Sequence, residues 1–371
     1  MASFKSIIFL PMKRLVIFLL FYTSIPSILA QISYDSAKTG FKVYPLPVVF
    51  FSPETDWGAG VVSLFSFRFK GESKKTRISQ FQFGAAYTQR NQFLLYLPFQ
   101  LYAKNENLFS FGEVGYYKYS YRFFGVGSDL SGSDEELYNV TFPRIRLNLM
   151  KLAKPKWYVG LRYWFDGYDI TKVEESGLLA GSNIAGAEGG IISSLGFISL
   201  VDSRNDYNYP SSGTYFEFVA LPNLHAYGSD FEFTRFSADY VKYLGLNKNV
   251  LAINLYSVTT IGKVPFNELA LIGGTRRMRG YFEGRFRDRN MLMAQTEYRR
   301  EIFWQLGFIV FAGYGVVSKN IGNFELQDIK PSAGLGLRYR LSKDEKINLR
   351  LDYGIGESGS SGFYLTIGEA F

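Results

Sequence analysis

The chain has 371 residues, no cysteine, an aromatic content of 18% and a formal net charge of +8. Without cysteine there is no disulfide framework, zinc–thiolate site or thiol nucleophile, and so mild a positive charge does not by itself point to nucleic acid. Mean hydropathy is −0.03, and beyond residue 30 no apolar run reaches the ~18 residues of a membrane helix, so a membrane-crossing form has to carry its apolar face in a period of two, as closed barrels do.

The N-terminus reads as a secretory signal over residues 1–30. Lys13 and Arg14 precede the apolar stretch Leu15 to Tyr22, Pro26 and Ser27 break it, and Ile28-Leu29-Ala30 before Gln31 forms a cleavage site. Met12 offers an alternative start to Met1, and a retained helix is the competing reading, disfavoured by Pro26. This segment holds Lys5, Lys13, Arg14 and no acid, so its removal takes the charge from +8 to +5. A short segment, 31–42, then leads into a barrel spanning 43–371.

From residue 43 onward the pattern is alternation. Ile347, Leu349, Leu351, Tyr353 and Ile355 point one way while Asn348, Arg350, Asp352 and Gly354 point the other. Leu292, Ala294, Thr296 and Tyr298 alternate in the same sense with Met293, Gln295, Glu297 and Arg299. Turn signals divide the chain into strands at 43–51, 57–69, 76–88, 91–103, 107–121, 138–152, 155–168, 187–201, 213–222, 229–246, 248–260, 291–301, 304–317, 329–342, 345–356 and 361–371. Sixteen is an even count, as single-chain bacterial barrels require. The fold class is therefore all-β: a sixteen-stranded antiparallel transmembrane barrel of the outer-membrane type, lipid outside and a charged lumen inside. If the first strand runs outward, the long connections 122–137, 169–186, 261–290 and 318–328 all fall outside and both termini are periplasmic. Of the inner turns, only 202–212 is long. Trp57, Trp157 and Trp304 suit interfacial belts.

The densest motif is Gly273 to Arg289, with six arginines on the longest external loop. A solvated basic loop touching anionic headgroups is the plain reading. Its glycines allow close backbone approach to a wall, and a guanidinium folded inward needs an acid partner, for which lumen-facing Glu297 and Asp352 are available. The two readings stand level on the residues alone.

Here the chain resembles a known family, the outer-membrane assembly and translocation superfamily of sixteen-stranded barrels, also called the bacterial surface antigen family, to which BamA and TamA belong. The resemblance covers most of the mature chain and is strongest from about residue 197 onward. Met278-Arg279-Gly280-Tyr281 is similar to the family's signature on its sixth external loop. The resemblance implies that this loop inserts into the barrel and that Arg279 pairs with inner-wall acids, here Glu297 and Asp352. Asp202-Ser203-Arg204 to Pro210-Ser211-Ser212-Gly213 is similar to a second family segment and accounts for the long inner turn. Phe124-Gly125-Val126-Gly127-Ser128-Asp129 matches a third. The strand Phe363 to Phe371 looks like the family's C-terminal assembly signal. Two departures stand out: the chain has no room for a POTRA domain, and Gly313 stands where many members carry an acid.

Two functions follow. The resemblance implies insertion or translocation of an envelope protein or a lipid-linked client, with opening of a weak seam between the first and last strands, where Pro45 and Pro47 remove two ladder donors. A separate periplasmic partner would deliver the client, and outer-membrane lipid and lipopolysaccharide would surround the barrel. The alternative is a gated pore for small anionic solutes, with Arg279, Arg338, Arg340 and Arg350 lining a basic constriction. No cofactor, metal or nucleic acid is expected. Enzyme chemistry is not expected either: His225, the only histidine, lies near Ser229 and Asp230 on an external loop, where a solvated role outweighs a catalytic one. Glu174-Glu175 and Asp134-Glu135-Glu136 are read as solvated acidic runs.

Overall fold

The computed structural model describes residues 42–73, 76–130, 135–180, 184–303, 305–342 and 346–371. The expected signal peptide, the segment up to residue 41, Asp134 and Trp304 lie outside the described residues. Eleven strands precede the arginine-rich loop: β1 (Lys42–Ser52), β2 (Asp56–Phe67), β3 (Ser79–Thr88), β4 (Phe93–Ala103), β5 (Leu108–Phe123), β6 (Glu136–Lys154), β7 (Trp157–Lys172), β8 (Gly190–Asp202), β9 (Gly213–Asn223), β10 (Phe233–Leu246) and β11 (Asn249–Gly262). The loop carries two short strands of its own, β12 (Ala270–Ile272) and β13 (Phe286–Asp288). Five strands follow: β14 (Asn290–Phe303), β15 (Leu306–Ser318), β16 (Lys330–Ser342), β17 (Ile347–Gly356) and β18 (Ser361–Ile367). All except β12 and β13 join in one closed antiparallel barrel of sixteen strands, in which β11 pairs β14 across the loop and β1 closes onto β18.

Sidedness is inverted relative to a protein folded in water. Along β17, Asn348, Arg350 and Asp352 are buried while Tyr353 and Ile355 are exposed; Leu335 is 63% exposed and Arg338, on the other face of β16, 4%. Such a wall is stable only where lipid meets the apolar face and the polar groups are satisfied within. Among the described residues no helix is long and apolar enough to cross a membrane.

The turns follow from local chemistry. Asn247, at φ 58°, makes the tight β10–β11 reversal between Leu246 and Asn249, a position that asparagine tolerates better than a branched residue. The long 202–212 turn is held by its own side chains: Arg204 grips Asp202 with two bonds of 2.9 and 2.8 Å, and Asn205 Oδ1 accepts the Ser211 and Ser212 N–H groups.

The closure is the irregular part of the wall. The β10–β11 ladder runs unbroken from Phe233 opposite Gly262 to Leu246 opposite Asn249, whereas β1 and β18 align at a single position, Phe51 opposite Leu365. Extending that register would set Pro47 against Glu369 and Pro45 against Phe371. Neither pair forms, because β18 ends at Ile367 and Gly368 takes φ 87°, turning the chain off the wall. The sequence expectation of a strand running to Phe371 is corrected here: Gly368 still donates its N–H to the Asn348 carbonyl at 2.8 Å, and the last three residues leave the sheet. Pro45 and Pro47 remain aligned with Ser63 and Val61 of β2. A proline fits such a ladder only where its missing N–H faces away, so both lost donors face the β18 side.

Candidate functional site

The loop between β11 and β14 rests on residues chosen for small size. Gly280 has φ 114°, and a Cβ there would lie 2.6 Å from the backbone of Ile355; a Cβ on Gly354 would meet the Arg279 backbone at 2.7 Å. Glycine on both sides therefore lets loop and strand touch backbone to backbone. The backbone carbonyls of Arg279 and Gly280, the Gly280 N–H and the Tyr281 hydroxyl are then met. The Gly280 N–H donates to Tyr364 Oη at 2.9 Å, Ser360 Oγ donates to the Gly280 carbonyl at 2.7 Å, and Ser332 Oγ donates to the Arg279 carbonyl at 2.9 Å. Tyr281 Oη donates to the Pro331 carbonyl at 2.6 Å and accepts the Glu357 N–H at 2.8 Å. Met278 is fully buried and its sulfur would lie 3.1 Å from a Cβ on Gly313. Gly313 thus leaves the space that Met278 occupies.

Arg279 is 1% exposed and forks between two carboxylates that are themselves fully buried, donating to Glu297 and, at 2.5 Å, to Asp352. The Phe311 ring lies beneath its guanidinium, 3.7 Å from the centroid. Neither acid depends on Arg279 alone. Glu297 also accepts from Arg299 at 2.9 Å, and Asp352 from Arg338 at 2.6 Å, with Arg350 at 3.5 Å. Charges of opposite sign alternate through the cluster, the arrangement in which buried ions are tolerated.

The turned-in C-terminal residues complete it. Glu369 accepts from Arg338 at 2.8 Å, the Ala370 carbonyl from Arg276 at 3.0 Å, and the Phe371 carbonyl from Arg299 at 2.6 Å. Of the arginines expected to line the lumen, Arg338 is shared by two acids, Arg340 donates to Glu301 at 2.6 Å, and Arg350 donates to Thr366 Oγ1 and the Thr275 carbonyl at 2.8 Å each. Phe363 sits on the outer face of β18, its ring 5.6 Å from Phe51 across the closure.

Two contacts were not anticipated. Gly127, within the 124–129 segment, donates its N–H to the Arg287 carbonyl at 2.8 Å, and the Phe124 ring meets Phe282 edge-on at 5.8 Å. That segment is a brace for the loop. Glu54, on the β1–β2 turn, accepts the Glu283 N–H at 3.0 Å. Burial, reinforced by the neighbouring Glu54, pushes the Glu283 carboxyl up from its ordinary 4.5 to about 7. A raised acid stabilises the fold when protonated, so its contribution is present below the ordinary value and lost as pH rises through about 7. Raising pH from about 5 to about 8 is expected to lower the unfolding temperature of the wild type, and Glu283→Gln to flatten that decline. Thermal unfolding in detergent followed by gel mobility measures both.

His225 Nδ1 lies 2.7 Å from the Ser229 carbonyl oxygen, while the Ser229 hydroxyl donates to the backbone carbonyls of Ile191 and Phe231. Histidine and serine hydroxyl are not bonded to each other in this loop.

A family model for the Omp85 superfamily domain matches residues 158–371. The chain belongs to the Omp85 superfamily. The matched region contains the arginine-rich loop, Glu297, Asp352 and the C-terminal strand. No curated protein matches the sequence. Among solved structures, BamA from Haemophilus ducreyi lacking POTRA domains 1-3 superposes with a TM-score of 0.59 at 15% identity, covering 89% of this chain and 70% of that one. CdiB from Acinetobacter baumannii gives 0.54 at 13%, covering 87% and 59%, and CdiB from Escherichia coli 0.59 at 9%, covering 90% and 63%. This Omp85 chain thus spans less than two thirds of either CdiB. At these identities the likeness is one of fold; the superfamily match together with the closed barrel places the chain in the outer membrane.

Proposed function

We propose that this barrel inserts or translocates an envelope protein, or a lipid-linked client, through the β1–β18 closure, and that it performs no enzymatic step. The observation carrying the reading is that closure: one aligned pair, two prolines facing it, and a last strand that departs at Gly368. A gap in a wall whose other ladders each pair at many positions offers unpaired backbone groups at a lipid-facing edge, and such an edge templates the strand of another chain. Membership of the Omp85 superfamily supports the same reading. The barrel is oriented with both termini in the periplasm, where a separate partner presents the client. The loop centred on Arg279 acts as a lumen plug that stiffens the wall from β14 to β18, on one side of the weak closure.

The alternative, a pore for small anions, draws on Arg279, Arg338, Arg340 and Arg350. Four carboxylates, those of Glu297, Asp352, Glu369 and Glu301, stand among these guanidiniums and offset most of their charge at that level of the lumen. The quantitative outer-membrane proteome of cells depleted of this chain decides between the two. Selective loss of one or a few surface proteins is expected, and would name the client. An unchanged proteome with altered solute uptake would overturn the insertion reading.

A further inference from the structure

Beside the arginine-rich loop lies a second feature, a chamber of about 360 Å³ walled by β5, β6, β7, β10, β11 and the loop itself. Its size falls within the range of about 300–1,000 Å³ typical of small-ligand sites. Six arginines line it, Arg144, Arg146, Arg235, Arg276, Arg277 and Arg287, against two lining acids, Glu268 and Glu283. Asp166, behind the wall, engages Arg144 at 2.6 Å and Arg146 at 2.7 Å, and Asp239 engages Arg277 at 3.0 Å. The other three have different partners. Arg235 donates to the Glu268 carbonyl at 2.8 Å, Arg276 to that of Ala370, and Arg287 to those of Gly284 and Phe266. A backbone carbonyl satisfies a donor without cancelling its charge, so this lining holds excess positive charge in a confined space, where Coulomb interactions are strong. Two buried polar atoms on the same lining, Arg146 Nε and Asn267 Oδ1, have no hydrogen-bond partner. Buried groups of this kind are normally paired.

We propose that the chamber binds a small dianion of the phosphate class, inorganic phosphate or a phosphomonoester, held by Arg235, Arg276 and Arg287. These three come from β10 and from the two limbs of the loop. They converge from separate directions, which suits a tetrahedral anion with several charged oxygens; a planar carboxylate is saturated by a single guanidinium fork. Arg146 Nε adds a fourth donor. The Asn267 amide serves in either orientation, donating to a phosphate oxygen or accepting from a protonated one. The paired β5, β6 and β7 separate the chamber from lipid, which favours a soluble anion over a phosphate still tethered in a headgroup.

The test uses the full chain in zwitterionic detergent, titrated with inorganic phosphate against chloride at matched ionic strength, with the unfolding temperature as readout. A saturable rise with phosphate and none with chloride is expected. Arg235→Gln should weaken apparent binding about ten- to hundred-fold, the loss of one charged hydrogen bond, while leaving the phosphate-free barrel folded. Arg276→Gln, on the loop, provides an independent second variant. No rise in the wild type, or an equal rise in both variants, would overturn the proposal. A third arm replaces phosphate with vesicles containing anionic phospholipid. A shift there that both variants lose, with none from free phosphate, would make the chamber a headgroup site and also overturn it.

Discussion

Arg279→Ala should cost the barrel about 3 kcal/mol, read as a fall in the unfolding temperature of the folded gel band. Breaking a buried ion pair by removing one partner costs about 3–5 kcal/mol, because the other charge is left behind without water. The lower figure applies here since Glu297 keeps Arg299 and Asp352 keeps Arg338. The same bookkeeping ranks a second substitution. Asp352 is shared by Arg279, Arg338 and Arg350, so Asp352→Asn leaves three guanidiniums facing one another and should destabilise more than Arg279→Ala. Arg279→Lys should not rescue, because one ammonium cannot fork between two carboxylates and also lie flat on Phe311. Equal unfolding temperatures for wild type and Arg279→Ala would show that the loop is not held by this cluster.

Locking the closure should abolish function while leaving the fold intact. The chain has no cysteine, so Phe51→Cys with Leu365→Cys creates a single pair. Directly opposed residues of antiparallel strands have Cα separations of about 4.5–5.5 Å, inside the range of about 4.4–6.8 Å that a disulfide spans. Cells carrying the oxidised variant are expected to show the surface-protein losses of depleted cells, and reductant should restore them. The purified oxidised barrel should keep its compact gel mobility. If oxidised cells retain normal surface proteins, opening at this closure plays no part in what the barrel does.

Much of this architecture is written in the alternation of the chain. The sixteen strands, the loop asymmetry and the long 202–212 turn are legible because a half-buried strand leaves a period of two whichever face meets lipid. The partners Glu297 and Asp352 were accessible because they share the inward parity of their strands and because the Met278–Tyr281 motif resembles that of a known family. Parity also sets Arg299 on the face of Glu297, two residues away, but its bond to that carboxylate was not anticipated. The departure of β18 at Gly368 was not legible. Residues 368–371 continue a strand-like composition, and only the three-dimensional placement of Arg276, Arg299 and Arg338 shows what draws them inward. The brace formed by residues 124–129 was also hidden, since its bond to Arg287 joins segments far apart in sequence.

The position of the closure also sets an order of events. Every other ladder except that between β11 and β14 joins strands that follow one another directly, whereas β1 and β18 come from opposite ends of the barrel. Loop-closure entropy makes contacts between distant segments the last to be gained, so this junction is the natural final step of assembly. Until then the barrel is a curved open sheet with two free rims, and its arginine-rich loop must be seated before the rims meet. A nascent barrel of this kind passes through a state in which it can accept a foreign strand or be held by a chaperone, and its slowest folding phase should report the joining of β1 to β18.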